Sequence, residues 1–548
     1  IGHDAMLYSS ASAACVAIGY AALEGAKANV SSVTAVGYGA GAAITTNIYG
    51  NTSTLIGRAA GHRAGEANVS IGYNTGYRAG DYSTAVGGGA HSRGIGGSNV
   101  AVGTDALRGF PYNQNTETGN STGVHNIAIG RSAALSYNSA SYNVFVGSDA
   151  GYFIDDGEYS TAVGYQAGKY ATGSYNTFVG SQAGVGGTTS APYSSGQYNT
   201  AAGYLALTAF TTAIHNVAFG SDSMRTNTSG NYNTAYGSSA LRTNTTGGAN
   251  VALGYAAARD LDGGNYNVVV GNGAGYNLGG SSNNILIGDE AGYAIMTSDA
   301  DGTVAIGYES GKAITSGQRN VVMGYQAGLL MTTMDDTVAI GYGAGDALST
   351  GTGRNVVIGS AAGSALTTES QIVAIGSSVM SSATNASNVI AIGHRAAEAL
   401  SHNDSSGTIA IGALALEGAN GSHTPNIAIG YRAINNATTN VAGAVAIGYE
   451  TLYANTDNTG NIAIGYFAMR DGTGGSSRDY NIAIGTEAMR SGNSHLSVAI
   501  GYTAGKNIRS GGTGVVHIGH AAGTYASASY NTFMGYQAGH GGTTSAPY

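Results

Sequence analysis

One short phrase, closest to Asn-Val-Ala-Ile-Gly-Tyr-x-Ala-Gly, recurs along the whole 548-residue chain. Its first glycine serves as an anchor at 31 positions, from Gly2 and Gly19 through Gly254, Gly271 and Gly288 to Gly519 and Gly535. Of the 30 spacings between anchors, 13 are 17 residues and most of the others are 15 to 20. Length alone suggests three or four globular domains. A fixed short period overrides that prior and is the mark of a solenoid.

The apolar run before each anchor decides between helix and strand. Runs such as Val251-Ala252-Leu253 and Asn426-Ile427-Ala428-Ile429 are short, rich in β-branched residues and stop at glycine. A helix needs ten or more residues and avoids glycine, whereas a strand of four or five suits the pattern. With 91 glycines and only 9% charged residues, long helices are disfavoured throughout. The sequence therefore predicts an all-β parallel β-solenoid of about 31 coils over residues 1–548. At roughly 4.8 Å per coil this gives a rod about 150 Å long. Within each strand, bulky residues sit three and one places before the anchor, with Ala between them. Alternation sends them to opposite faces. The expectation is that the bulky pair points inward and that the Ala face meets a second chain, giving a homo-oligomer of closed cyclic symmetry.

Asn stands four places before the anchor in 17 of the 30 coils that have that position, among them Asn176, Asn199, Asn216, Asn233, Asn250, Asn267 and Asn284. Stacked coils place these amides in a ladder, bonded to copies above and below and to turn backbone. Ser160, Thr303 and Thr337 take the same place, as does Cys15, which reads as a packed thiol. Tyr follows the anchor in many coils, including Tyr20, Tyr38, Tyr308, Tyr325 and Tyr342. It reads as a packing ladder at a coil corner, with stacking on sugars as the functional alternative.

The runs Thr228–Leu241 and Asn461–Gly465 resemble the Ala-Ile-Gly repeats of trimeric autotransporter adhesin heads, and of tail-fibre-like repeat proteins from phages and bacteria. The likeness covers essentially the whole chain. It implies a homotrimer, an extracellular place on a cell surface or virion, and a role in projection and attachment. The coil here is 17 residues, against nearer 14 in the adhesin heads.

Motifs for chemistry are weak. Gly271-Asn272-Gly273-Ala274-Gly275 mimics a dinucleotide loop, but such glycines recur with each coil and no helix pattern follows. Asp260-Leu261-Asp262-Gly263 and Asp299-Ala300-Asp301-Gly302 read as Asx-stabilised turns. The 12 histidines are scattered, with His517 and His520 the closest pair. The expectation is a protein without cofactor, metal or catalytic site. The net charge of −9 argues against nucleic acid, and no run of 18 apolar residues predicts a membrane span. The leading reading is a structural extracellular fibre or adhesin. The alternatives are a phage tail fibre binding glycans and a dedicated glycan-binding solenoid.

Two coils are overlong, at 104–129 and 181–202. Residues Phe110, Tyr112, Asn113 and Gln114 in the first, and Tyr193 and Tyr198 in the second, are the expected contacts to a glycan or neighbouring fibre, because loops on rigid scaffolds carry recognition. The stretches Ser174–Tyr193 and Ser529–Tyr548 differ at three of twenty positions across 355 residues. That points to a duplicated block and a segment of a longer chain.

Overall fold

The computed structural model describes residues 1–7, 14–26, 30, 32–44, 52–109, 121–187, 193–294, 296–297, 300–400, 406–418, 425–436, 441–454, 458–471, 478–492, 494–508, 512–526 and 529–541. Contacts divide the chain into two compact units, Ile1–Gly273 and Ala274–Tyr548. Each is a parallel β-solenoid, and no helix occurs among the described residues. Among the described residues each unit carries fifteen three-residue strands in its main sheet, from Val16–Ile18 to Val268–Val270 in the first and from Ile285–Ile287 to Thr532–Met534 in the second. The 31 anchors overcount these by one, since Gly2 has a single residue before it.

Successive strands pair parallel and in register, so that Val251, Ala252 and Leu253 lie against Val268, Val269 and Val270. The turns bond between coils as well: Ser239 N–H donates to Ser221 O at 2.8 Å, and Thr243 N–H to Arg259 O at 3.0 Å. This satisfies backbone groups that a lone coil would leave unpaired. Among the described residues three short parallel pairs lie outside the main sheets, for example Ser136–Tyr137 with Phe153–Asp155.

The anchor glycines explain their own recurrence. They adopt φ near +135°, as at Gly254 (137°) and Gly324 (136°). A Cβ on Gly237 would stand 2.1 Å from the carbonyl oxygen of Gly254, and one on Gly324 would stand 2.3 Å from that of Gly341. Neither the backbone conformation nor the coil-to-coil approach admits a side chain.

The inward face is the reverse of the one expected. The central strand residue is buried, as at Ala235, Ala252, Ala305 and Ala463, while the flanking Val and Ile are half-exposed on the outer side. The physical reason lies four places after the anchor. Leu207, Leu241, Met224 and Met469 project inward from the turn and fill the narrow interior beneath Ala201, Ala235, Ala218 and Ala463. Bulk on both sides does not fit. Where the strand centre is Phe145 or Phe178, the turn supplies Gly151 or Gly184. A Cβ on those glycines would lie 2.4 Å and 2.2 Å from the rings. Where both places are small, as at Ala305 and Gly311, Ile314 from further along the turn fills the space, so bulk is exchanged among a few inward sites of the coil.

Candidate functional site

The buried Asn column holds the coils in step. Asn250 donates from its backbone N–H (3.0 Å) and from Nδ2 (3.1 Å) to Oδ1 of Asn233. Asn267 does the same to Asn250 at 3.0 Å in both bonds. The remaining Nδ2 proton goes to turn backbone, as from Asn216 to Gly230 O at 2.9 Å, from Asn233 to Gly247 O at 2.8 Å and from Asn250 to Gly264 O at 2.9 Å. Asn199 repeats both kinds of bond, to Asn176 Oδ1 and Ala213 O, and Asn284 accepts from Thr303 N–H at 2.8 Å. Cys15 joins by pointing its thiol at Val30 O, 3.6 Å away.

The outer surface of the sheet combines three features. Its centre is the Val/Ile stripe, as at Val16 and Ile18 (46% and 41% exposed) and at Ile127, Ile129, Ile285 and Ile287. Along one edge runs the tyrosine column that follows the anchor. Tyr308, Tyr325 and Tyr342 stack at 5.0 and 5.2 Å, and Tyr431, Tyr449 and Tyr466 at 5.1 and 5.2 Å. The other edge carries a second aromatic column, one place before the buried Asn. In it His125, Tyr142, Tyr159, Tyr175, Tyr198, His215 and Tyr232 stack continuously at 4.8–5.3 Å, with interplanar angles of 1–21°. Sequence reasoning missed this column, although a ring five residues before the anchor in seven successive coils was there to be read. Within each stacked run the ring faces are covered by neighbouring rings. Inside a stack only edges and hydroxyls reach solvent, so sugar stacking is confined to places where a ring is missing.

Tyr198, expected in a recognition loop, is a regular member of this stack. Tyr193 packs on Phe153 at 4.8 Å and on Tyr170 at 6.1 Å. Phe110, Tyr112, Asn113 and Gln114 lie outside the described residues. The base of the first overlong coil is tied down by a parallel bridge between Gly94 and Ser121 and by the Ser121 hydroxyl donating to Tyr137 O.

Charged groups pair within and between coils, as Arg470 does with Glu450 and Asp471 and Arg490 with Asp471 and Glu487, whereas the histidines are dispersed. His517 is a buried strand centre, whereas His520 stacks outside between Tyr502 and Tyr536 at 5.0 Å each, so the pair does not converge. Burial lowers the imidazoles of His91 and His517 to about 4. Asp262 Oδ1 accepts from Thr245 Oγ1 at 2.6 Å, and Asp301 Oδ1 from Ser282 N–H at 2.6 Å, each tying one coil to the next. Asp299 lies outside the described residues. Among the described residues no three His, Cys, Asp or Glu side chains gather as metal ligands, and no helix is long and apolar enough to cross a membrane. No protein-family model matches the chain, and no curated protein matches it.

Proposed function

We propose that this chain is a structural shaft of an extracellular fibre that assembles with copies of itself, most simply as a homotrimer, and serves projection and attachment from a cell surface or virion. The observation that carries this reading is the Val/Ile stripe. In one unit about thirty half-exposed β-branched or apolar side chains lie in register on one flat face. At a few tens of Å² each they leave on the order of 1,000 Å² of apolar surface, above the ~300–600 Å² of the largest patch on an ordinary monomer. That also exceeds the ~800 Å² that a partner contributes to a standard interface. A face periodic at the coil rise is matched best by another face of the same period, that is, by a second copy of this chain. The trimer and the extracellular setting draw on the adhesin-head and fibre resemblance.

Sedimentation of the purified chain tests it, with a mass of three chains expected and a stable monomer overturning it. Val251→Asp and Ile464→Asp sharpen the test. Both side chains are on the outer face, so each variant should fold as a solenoid yet lose assembly, because a charge buried unpaired in the interface costs several kcal/mol. Unchanged assembly would place the interface elsewhere.

A further inference from the structure

In the second unit a chain of alternating charges runs along the turns that follow the anchors from Gly430 to Gly501. Glu450 Oε1 lies 3.6 Å from Arg432 Nη1, and its Oε2 accepts from Arg470 Nε at 2.5 Å. Arg470 Nη1 reaches Asp471 Oδ1 at 2.9 Å, and Arg490 Nε reaches Asp471 Oδ2 at 2.8 Å. Arg490 Nη1 also donates to Glu487 Oε1, and Lys506 Nζ to Glu487 Oε2 at 2.5 Å. Each acid thus bridges two cations, so that four cations hold three acids. Glu450 is buried, and the guanidinium groups of Arg470 and Arg490 lie 4.6 and 5.0 Å from the Phe467 ring centroid. Asp457 and Arg509 of these coils lie outside the described residues.

This chain of charges crosses a break in the buried ladder. From Asn216 to Asn267 each amide bonds to the next without interruption. Asn426 Oδ1 likewise accepts Ala444 N–H at 2.8 Å, but the Ala444 side chain offers no acceptor to Asn461 in the following coil. The run from Arg432 through Glu450 to Arg470 spans the same step. The turns that carry these charges are also stacked by backbone bonds. Ala454 N–H donates to Arg470 O at 3.0 Å, Asp471 N–H to Arg490 O at 2.7 Å and Ser491 N–H to Lys506 O at 2.8 Å. Attraction or repulsion between the side chains therefore acts directly on the stacking of the turns.

We infer that these turns form an acid-released clasp: neutralising Glu450, Asp471 and Glu487 opens the turns between Arg432 and Lys506 while turns elsewhere stay stacked. Without the three acids, Arg470, Arg490 and Lys506 stand as bare cations in successive coils, about 4.8 Å apart. Half-buried like charges at that spacing are poorly screened and repel. Burial alone would raise the Glu487 carboxyl, but hydrogen bonds from Lys506 and Arg490 outweigh it and hold the group below the usual carboxylate range. A carboxyl depressed in the folded chain adds stability above its unfolded value, about 4.3 for Glu. That stability is lost as pH falls through the folded value, so the clasp is closed at neutral pH and opens below about pH 4. Other groups of these coils play no part in the switch. Burial and the Glu450 charge raise the Tyr449 hydroxyl, which stays neutral in acid. Arg478, Asp479 and His495 lie six or seven residues before their anchors, on the limb that enters the strand. The inference stands apart from self-assembly, since the charges lie on turns and not on the Val/Ile stripe.

Hydrogen exchange of the full chain, read as protection factors corrected for the intrinsic pH dependence, tests it. The background is His517→Phe, which removes a core imidazole that burial holds at about 4. Between pH 7 and about pH 3.5 the amides of Ala454, Asp471 and Ser491 should lose protection at least tenfold. Those of Thr211 and Thr228, bonded to threonine carbonyls in the first unit, should not. In 1 M salt the screening length is ~3 Å. Salt should lower protection of the clasp amides at pH 7, where it screens attraction, and raise it in acid, where it screens repulsion. Glu450→Gln should lower protection at Ala454 at least tenfold at pH 7. If either variant fails to fold, the acid and salt arms on the native chain decide. Equal loss in both sets of amides, salt acting in one direction at both pH values, or native protection in folded Glu450→Gln each overturns the clasp.

Discussion

The position before the buried ladder residue is built the same way in both units and filled differently. In the first unit it holds seven stacked rings, from His125 to Tyr232. In the second it holds Arg319, Asp336 and Arg354, with φ of 53°, 51° and 61° against 58–60° at Tyr198 and Tyr232. There Arg319 binds Asp336 through two bonds, at 2.7 and 3.1 Å. That pairing holds Asp336 below the usual carboxylate range. Nearby, Lys312 lies 2.6 Å from both Glu290 and Glu309, which raise its ammonium group above its ordinary value. An identical backbone under rings and under ions shows that the column side chains do not specify the coil. The anchor glycines, the buried ladder and the bulk exchanged across the core do so, leaving the column free to vary in chemistry.

The largest expected effect should strike both units alike. Gly237→Val in the first unit and Gly324→Val in the second each drive a β-branched residue into a φ near +140° and against the next coil's carbonyl. Each should cost more than about 4 kcal/mol, beyond ordinary point substitutions, read as loss of the cooperative unfolding transition. A mild effect in one unit alone would show that the two coils are specified differently.

Acid should also act on both cores. His91 and His517 are held neutral by burial, at about 4 in the folded chain, against ~6.5 unfolded. The unfolded chain binds the extra proton between those values, so stability is complete above about pH 6.5 and falls as pH drops to about 4. Each site accounts for up to about 3 kcal/mol. His517→Phe places at a strand centre the residue that Phe145 and Phe178 already are, opposite Gly523 as they are opposite Gly151 and Gly184. It should flatten the acid limb of a denaturation profile, and an unchanged limb would remove His517 from that account.

The smallest effect should separate the units. Tyr175→Ala breaks two stacking contacts of ~0.5–1.5 kcal/mol each and should raise hydrogen exchange in its neighbouring coils. Arg319→Ala removes an exposed pair, and its slight effect should vanish in 1 M salt, where the screening length is ~3 Å. Equal, salt-insensitive losses would mean that the two columns are not interchangeable surface fittings.

The solenoid class, its 17-residue period and the strand before each anchor were legible in residues 1–548. The reason is that each requirement repeats with every coil and leaves a residue type at a fixed offset. Glycine recurs where a Cβ would strike the next coil, and Asn where one amide can bond both the ladder and a turn. The inward face was not legible, because the strand pattern alone, bulky-Ala-bulky, is compatible with either orientation. The choice depends on what the turn brings to the other wall, Leu241 opposite Ala235 or Gly184 opposite Phe178, and that contact exists only once the coil closes.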